Sequence, residues 1–228
     1  MYLSAKGGLR VKVHRRVVGR LQTNCYIVED EASKKCIVID PGGDGQGILD
    51  FIDSQGLELH SIVITHGHID HFLDAGYIQA KTSVPVLIAE ADSKFLEDPG
   101  WMRAFAGTHQ MIRPAQITFV KEGDVISFGN TCLRVIETPG HSPGSVCLYW
   151  PGNQDTQDSQ GGPGVLFSGD LIFRLSVGRT DFPGGDAYKL VESIRNKVFT
   201  LPDDTIIYPG HDEQTTVGRE RTQNPFVC

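Results

Sequence analysis

Three histidines and an aspartate occupy six consecutive positions in Thr65-His66-Gly67-His68-Ile69-Asp70-His71, in a chain with only eight histidines. The stretch directly follows Ser61-Ile62-Val63-Ile64, a short continuous apolar run of the kind that forms a strand buried on both faces. The motif must therefore sit where the chain leaves the core, and crowded imidazoles there need partners. A metal site, a proton-transfer cluster and a polar turn compete to explain it, since histidine ligates metals and titrates near neutrality. In extended chain, positions two apart point the same way with Cα atoms roughly 6.5–7 Å apart. His66 and His68 can thus close on one ion. Asp70 and His71 fall where the chain turns into a helix, so they point elsewhere and can reach a second ion beside the first. Gly67 lets the backbone pass close to such a site.

Three later turns repeat this form, each a strand followed by a glycine and one ligand-type residue. They are Thr138-Pro139-Gly140-His141, Phe167-Ser168-Gly169-Asp170 and Tyr208-Pro209-Gly210-His211. In α/β folds, sites gather at the C-terminal ends of strands. One such turn is weak, but the four together supply five histidines and two aspartates, and a metal site accounts for all of them. His14, His60 and His109 lie in contexts that read as surface or core.

The alternation of the first half (strands at 25–30 and 36–40, helix at 47–56, strand at 61–65, helix at 72–81, strand at 84–90) places the chain in the α/β class. Residues 92–116 mix aromatics with Pro and Gly, and read either as a loop with short helices over a pocket or as a packed connection. From Ile117 the pattern is strand-rich, broken by the polar, glycine-rich stretch 151–164, which reads as an exposed hairpin loop. A helix at 186–199 and a closing strand follow. With no repeat and no linker, residues 1–228 read as a single domain of two halves, each strands then helix, in two layers.

The 39% hydrophobic and 21% charged content is that of a globular chain. A net charge of -7 disfavours nucleic acid as a partner, and no apolar run approaches the roughly 20 residues that span a bilayer. The five cysteines are scattered without a CxxC pair, which fits reduced thiols serving as small buried hydrophobes in the cytoplasm. The basic N-terminus faintly resembles an organelle transit peptide. The alternation of Leu9, Val11 and Val13 with Arg10, Lys12 and His14 favours a strand instead.

The motif, with His141, Asp170 and His211 at these spacings, resembles the metallo-β-lactamase fold superfamily. The segments "TNCYIV", "DPGGD", "GDLIF", "VGRTDFPGGD", "LPDDTIIYPGH" and "TTVGRERTQNPF" look like the short, bacterial-type glyoxalase II proteins, the hydroxyacylglutathione hydrolases. The resemblance runs from about residue 10 to residue 226. It implies an αββα four-layer sandwich, two mixed β-sheets with helices on the outer faces and metals at one edge. It also implies two divalent metal ions, with zinc expected and iron or manganese compatible with the same donors. His66, His68 and His141 resemble the ligands of one ion; Asp70, His71 and His211 those of the other. Asp170 resembles the carboxylate between them, and Asp70 and Asp170 fall among the catalytic residues. Asp40 resembles a carboxylate that orients a ligating histidine; it reads equally as a turn aspartate before Pro41.

The resemblance implies hydrolysis of a small-molecule thioester, S-D-lactoylglutathione or a related hydroxyacylglutathione, by a metal-activated hydroxide. Arg179 sits where these proteins carry a basic residue contacting the glutathione carboxylate, though a surface ion pair explains it as well. Longer glyoxalase II proteins continue into a helical C-terminal segment, whereas this sequence stops at Cys228; glutathione recognition is therefore expected to be weaker, borrowed from the 92–116 segment, or replaced by a preference for another thioester. Two alternatives remain. Persulfide dioxygenases share the fold and resemble this sequence at GRTDF, using a single iron held by residues matching His66, His141 and Asp170. A non-catalytic metal-binding module is the other. β-Lactam hydrolysis is disfavoured, because such enzymes are typically exported and no secretory signal is evident.

Overall fold

The computed structural model describes residues 11–152 and 162–227. The first half of the chain builds one mixed sheet. β1 (Val11–Val18), β2 (Thr23–Asp30) and β3 (Lys35–Ile39) are antiparallel neighbours, and α1 (Gly45–Ser54) leads to β4 (Glu58–Val63), parallel to β3. α2 (Ile69–Phe72) and α3 (Ala75–Thr82) connect to β5 (Val86–Ala89). α4 (Glu90–Glu97), a 3-10 turn at Gly100–Met102 and α5 (Arg103–Ala106) connect to β6 (Ile117–Val120). The strands lie in the order β1-β2-β3-β4-β5-β6.

A turn at 121–124 carries the chain to the second sheet. β7 (Val125–Phe128), β8 (Thr131–Glu137), β9 (Val146–Trp150) and β10 (Val165–Gly169) form an antiparallel series. A small hairpin follows, β11 (Ile172–Phe173) with β12 (Ser176–Val177). Then α6 (Ala187–Ser193) runs into a π-helical turn (Ile194–Val198) and on to β13 (Ile206–Pro209), β14 (Thr215–Thr216) and α7 (Val217–Gln223). The order is β14-β13-β10-β9-β8-β7, with β10 and β13 parallel. α6 begins at Asp186, whose carboxylate accepts from the Tyr188 and Lys189 N–H groups, satisfying donors that a helix start leaves open.

Successive side chains divide between three apolar layers, because a strand sends alternate residues to opposite faces. In β2, Cys25 and Ile27 pack with Ile48, Phe72 and Ile78 of the helices. Tyr26 and Val28 pack with Phe128, Leu148 and Phe167 of the other sheet. In β9, Cys147 and Tyr149 pack with Leu190, Ile194 and Val217 on the far side. The result is helices, sheet, sheet, helices. Four layers replace the two that strand–helix alternation suggested, for a physical reason. Runs such as TNCYIV and VCLYW are buried on both faces, so they carry no polar face to show that one side meets a second sheet. At roughly 1.5–3 kcal/mol for each large side chain, the layer between the sheets is the dominant tie between the two halves.

α2 begins at Ile69, inside the histidine motif, and the helix breaks before α3 instead of running unbroken from 72. Residues 153–161 lie outside the described residues, as do Met1–Arg10; Val11–Val18 is the expected strand. Among the described residues no helix is long and apolar enough to cross a membrane. β3 and β4 run parallel, as do β10 and β13, and β8 shares the direction of β10 because both are antiparallel to β9. Each of these five strands delivers a candidate site residue just past its C-terminal end.

Candidate metal centre

The turn after β4 puts His66 Nε2 3.1 Å from His68 Nδ1, and the turn after β8 brings His141 Nε2 within 3.1 and 2.8 Å of those two atoms. The first turn of α2 points Asp70 and His71 the other way. There His71 Nε2 stands 3.5 Å from Asp70 Oδ2, and His211 Nε2, from the turn after β13, stands 3.3 Å from the same oxygen. Asp170, after β10, lies between. Its Oδ1 is 3.4 Å from His71 Nε2, while its Oδ2 is 3.6 Å from both His141 Nε2 and His211 Nε2. The seven residues form three overlapping groups able to hold a metal ion: His66, His68 and His141; His66, His71 and Asp170; Asp70, His71 and His211. Gly210 makes this crowding feasible, since a Cβ there would sit 2.2 Å from Asp170 Oδ1 and 2.7 Å from the His71 ring.

The outer nitrogens of the rings fix which inner nitrogen carries a lone pair. His141 Nδ1 donates to the Arg179 carbonyl at 2.7 Å, and His71 Nδ1 donates to Asp40 Oδ2 at 2.9 Å. His66 Nδ1, 3.1 Å from Thr65 Oγ1, donates to that hydroxyl, which donates onward to Asp40 Oδ2 at 2.7 Å. Asp40 Oδ1 also accepts from the Thr65 N–H at 2.8 Å. One buried carboxylate thereby aligns a histidine of each group, and the turn conformation (φ +53° at Asp40) serves that contact. The consequence is that the Nε2 lone pairs of His66 and His141 face each other at hydrogen-bond distance with no proton between them. Such an arrangement is repulsive unless a cation sits among the nitrogens. Tetrahedral zinc at 2.0–2.1 Å from each nitrogen separates its ligands by about 3.3 Å, close to the spacing seen. His71 Nε2 and Asp170 Oδ1 are likewise buried without a hydrogen-bond partner, which a polar group seldom tolerates. Divalent cations held by these groups would satisfy all four atoms.

The electrostatics divide the centre. Burial, reinforced by the neighbouring imidazoles, pushes His66 well down and His68 to about 4, so both are neutral, as ligands must be. Burial would lower His71 too, but Asp170, Asp70 and Asp40 outweigh it and raise its pKa well above the ordinary value. His211 is raised against burial chiefly by its hydrogen bond to Asp70 and by Asp170. Asp70 and Asp170 are pulled below the usual carboxylate range despite burial, in each case mainly by the His71 charge.

The family profile described as "Metallo-beta-lactamase superfamily" matches residues 18–211. The chain belongs to the metallo-beta-lactamase superfamily. It is 34% identical over 223 residues to "Probable metallo-hydrolase YqgX" of Bacillus subtilis, covering 95% of this chain and 98% of that one. It is 32% identical over 212 residues to "Hydroxyacylglutathione hydrolase GloC" of Haemophilus influenzae, covering 92% and 95%. Among solved structures, BLEG-1 B3 metallo-beta-lactamase superposes with a TM-score of 0.81 at 34% identity, over 95% of this chain and 99% of that one. TTHA1623 in a di-iron-bound form does so with 0.78 at 33%, over 94% and 100%. ETHE1 from Myxococcus xanthus gives 0.73 at 27%, over 95% and 84%.

In this metallo-beta-lactamase superfamily protein the cluster of His and Asp side chains is a divalent metal-binding centre, with nitrogen and oxygen donors and no sulfur. Several parts of it were invisible in sequence. Thr65 is an unremarkable residue before the motif, yet it relays His66 to Asp40. Thr23, at the start of β2, donates to Asp70 Oδ2 at 2.9 Å. Asn24 reaches the Pro209 and Asp212 carbonyls at 2.9 Å each, tying the β1–β2 hairpin to the His211 turn. Arg179 is exposed; its guanidinium pairs with Asp181 through two 2.7 Å hydrogen bonds and stacks on Phe182. Phe182 in turn packs edge-on against His68, and Phe173 against His211, so an aromatic ring flanks each side of the centre. The 92–116 segment fills both expected roles. Leu96 and Met102 are buried in the helical layer. Phe105, Ala106 and His109 line a cavity of ≈ 110 Å³ that Asp70 also borders. Cys25, Cys36 and Cys147 are buried, and burial pushes Cys36 and Cys147 up to about 12, which leaves those thiols protonated. Cys132 departs from the expected pattern and is exposed, because it pairs with Ser127 on the outward face of the β7–β8 hairpin.

Proposed function

We propose that this protein is a binuclear metal-dependent hydrolase of a small thioester, S-D-lactoylglutathione or a related hydroxyacylglutathione. The observation that carries the reading is Asp170, which presents one oxygen toward His71 and the other toward His141 and His211. A carboxylate placed in that way suits two neighbouring ions: His66, His68 and His141 would hold one, and Asp70, His71 and His211 the other. The likeness to the Haemophilus hydroxyacylglutathione hydrolase supports the thioester class. When bound, the two divalent ions, zinc in our reading, lower the pKa of coordinated water to about 7 and polarise a carbonyl oxygen.

The chain's own contribution is orientation and charge. Asp40, Thr65 and the Arg179 carbonyl hold His71, His66 and His141 in the tautomer that leaves a lone pair inward. Asp70 and Asp170 remain ionised at neutral pH and so offset part of the cationic charge. Arg179 would take a glutathione carboxylate by exchanging Asp181, an exposed carboxylate that it holds through the same two-pronged geometry. Phe173 and Phe182 would shield the reacting bond from bulk water.

The test is anaerobic turnover of S-D-lactoylglutathione by zinc-loaded protein, expected to yield lactate and glutathione. Iron-dependent oxygen uptake with glutathione persulfide, absent with zinc, would overturn the reading in favour of a dioxygenase. Turnover of a chromogenic β-lactam without turnover of the thioester would overturn it in favour of a lactamase.

A further inference from the structure

Asp92, in the first turn of α4, is completely buried and belongs to none of the groups described above. Its carboxylate takes three hydrogen bonds, all from the loops that carry the three-histidine group. Oδ2 accepts from the Gly67 N–H at 2.8 Å and from Ser142 Oγ at 2.6 Å; Oδ1 accepts from the Gly144 N–H at 2.8 Å. Gly67 is the residue between His66 and His68, and Ser142 follows His141. Both glycines are close to the carboxylate by necessity, since a Cβ on Gly67 would lie 3.1 Å and one on Gly144 2.9 Å from Asp92 Cβ.

The two loops come from different sheets, β4 in the first and β8 in the second. Besides Asp92, a single backbone hydrogen bond, from the Val146 N–H to the Thr65 carbonyl at 2.9 Å, joins the bases of the two loops, while the three ligand nitrogens must meet within 2.8–3.1 Å. We infer that Asp92 is a positioning residue that clamps the His66–His68 turn to the His141 turn and so sets the metal affinity of that group selectively. Its contacts reach no neighbour of Asp70, His71 or His211 in sequence. Removing the carboxylate frees two backbone N–H groups and a hydroxyl inside the protein, and the loops separate to find other acceptors. Outer partners that orient ligands typically control metal affinity by 10–100-fold.

This inference rests on the reading of the seven residues as metal ligands, and the experiment separates the two. His211→Ala removes a ligand from the group on α2 and after β13 and leaves the three-histidine group whole, and His68→Ala does the reverse, while His66, His71 and Asp170 remain in both. Zinc affinity of each is measured against a chromophoric chelator, with far-UV circular dichroism to show that the fold is kept. If neither parent variant binds zinc, the ligand reading fails before Asp92 is tested. Given binding, adding D92N is expected to weaken zinc about 10–100-fold in the His211→Ala background and less than about threefold in the other. Equal losses in both backgrounds, or no loss in either, overturn the clamp. Should D92N not fold, S142A replaces it, because it removes one of the three hydrogen bonds to Asp92 and leaves two, losing also the contact to the Ser145 hydroxyl. A several-fold loss confined to the His211→Ala background supports the inference, and an unselective or absent effect overturns it.

Discussion

Asp170 reaches both groups, with Oδ1 toward His71 and Oδ2 toward both His141 and His211, and His71 shares a group with each of the two carboxylates, Asp70 and Asp170, so these residues are where single changes tell most. Asp170→Ala is expected to abolish turnover and to weaken metal binding at both groups by more than about tenfold, as read by equilibrium dialysis. Loss at one group alone would contradict a shared carboxylate. His71 makes a different prediction. With its pKa raised well above the ordinary value by Asp170, Asp70 and Asp40, it holds a proton in the metal-free protein at neutral pH. Because this folded value exceeds the unfolded value of about 6.5, the charged ring stabilises the metal-free fold below that pH. The contribution is lost as pH rises through the folded value. Asp70 and Asp170, depressed by the same charge, act in the opposite sense: their contribution is present above their unfolded pKa and lost as pH falls through the folded one. A metal ion must displace the His71 proton, whereas His66 and His68 are already neutral. Calorimetry in buffers of differing ionisation enthalpy should therefore show proton release from the group containing His71 and little from the three-histidine group. Equal release from both would contradict this division.

At the scale of elements, α2 is a single turn of helix that supplies Asp70 and His71 on one face while the preceding turn supplies His66 and His68. The double variant Asp70→Ala with His71→Ala should reduce a stoichiometry of about two ions per chain to about one; fully loaded unmodified protein with one ion would refute the two-group arrangement. The same stretch shows what a sequence can carry. Its histidines were legible because a buried strand ending in clustered imidazoles has few explanations, and because Gly140, Gly169 and Gly210 precede isolated ligand-type residues in a repeated form. Asp40 was legible only as a turn or an orienting carboxylate, since nothing local distinguishes them. Thr65, Thr23 and Asp92 were not legible at all. Each acts through a partner 25 to 50 positions away, and such pairings exist only once the sheets have stacked. The π-helical turn after α6 was read as continuous helix because its apolar spacing is unchanged there.

At the scale of the whole molecule, the arrangement of sheets was carried by resemblance to a family, not by periodicity, for strands covered on both faces look alike whichever layer covers them. One consequence of that arrangement lies in the turn at 121–124. Every strand before it belongs to the first sheet and every strand after it to the second, apart from the small β11–β12 hairpin. His66, His68, Asp70 and His71 lie on one side of the turn, and His141, Asp170 and His211 on the other. A protease site inserted there, once cut, severs no ladder within either sheet. The cut protein would be a two-piece assembly joined by an apolar interface and by coordination bonds, obeying the mass-action law of a heterodimer. Its melting temperature should then depend on protein concentration, and a chelator should lower it more than it lowers that of the uncut chain. An equal effect of the chelator on both would mean that the ions bind without fastening the halves. A larger effect on the cut protein would make the metal centre a rivet between two pieces that the apolar layer already holds together.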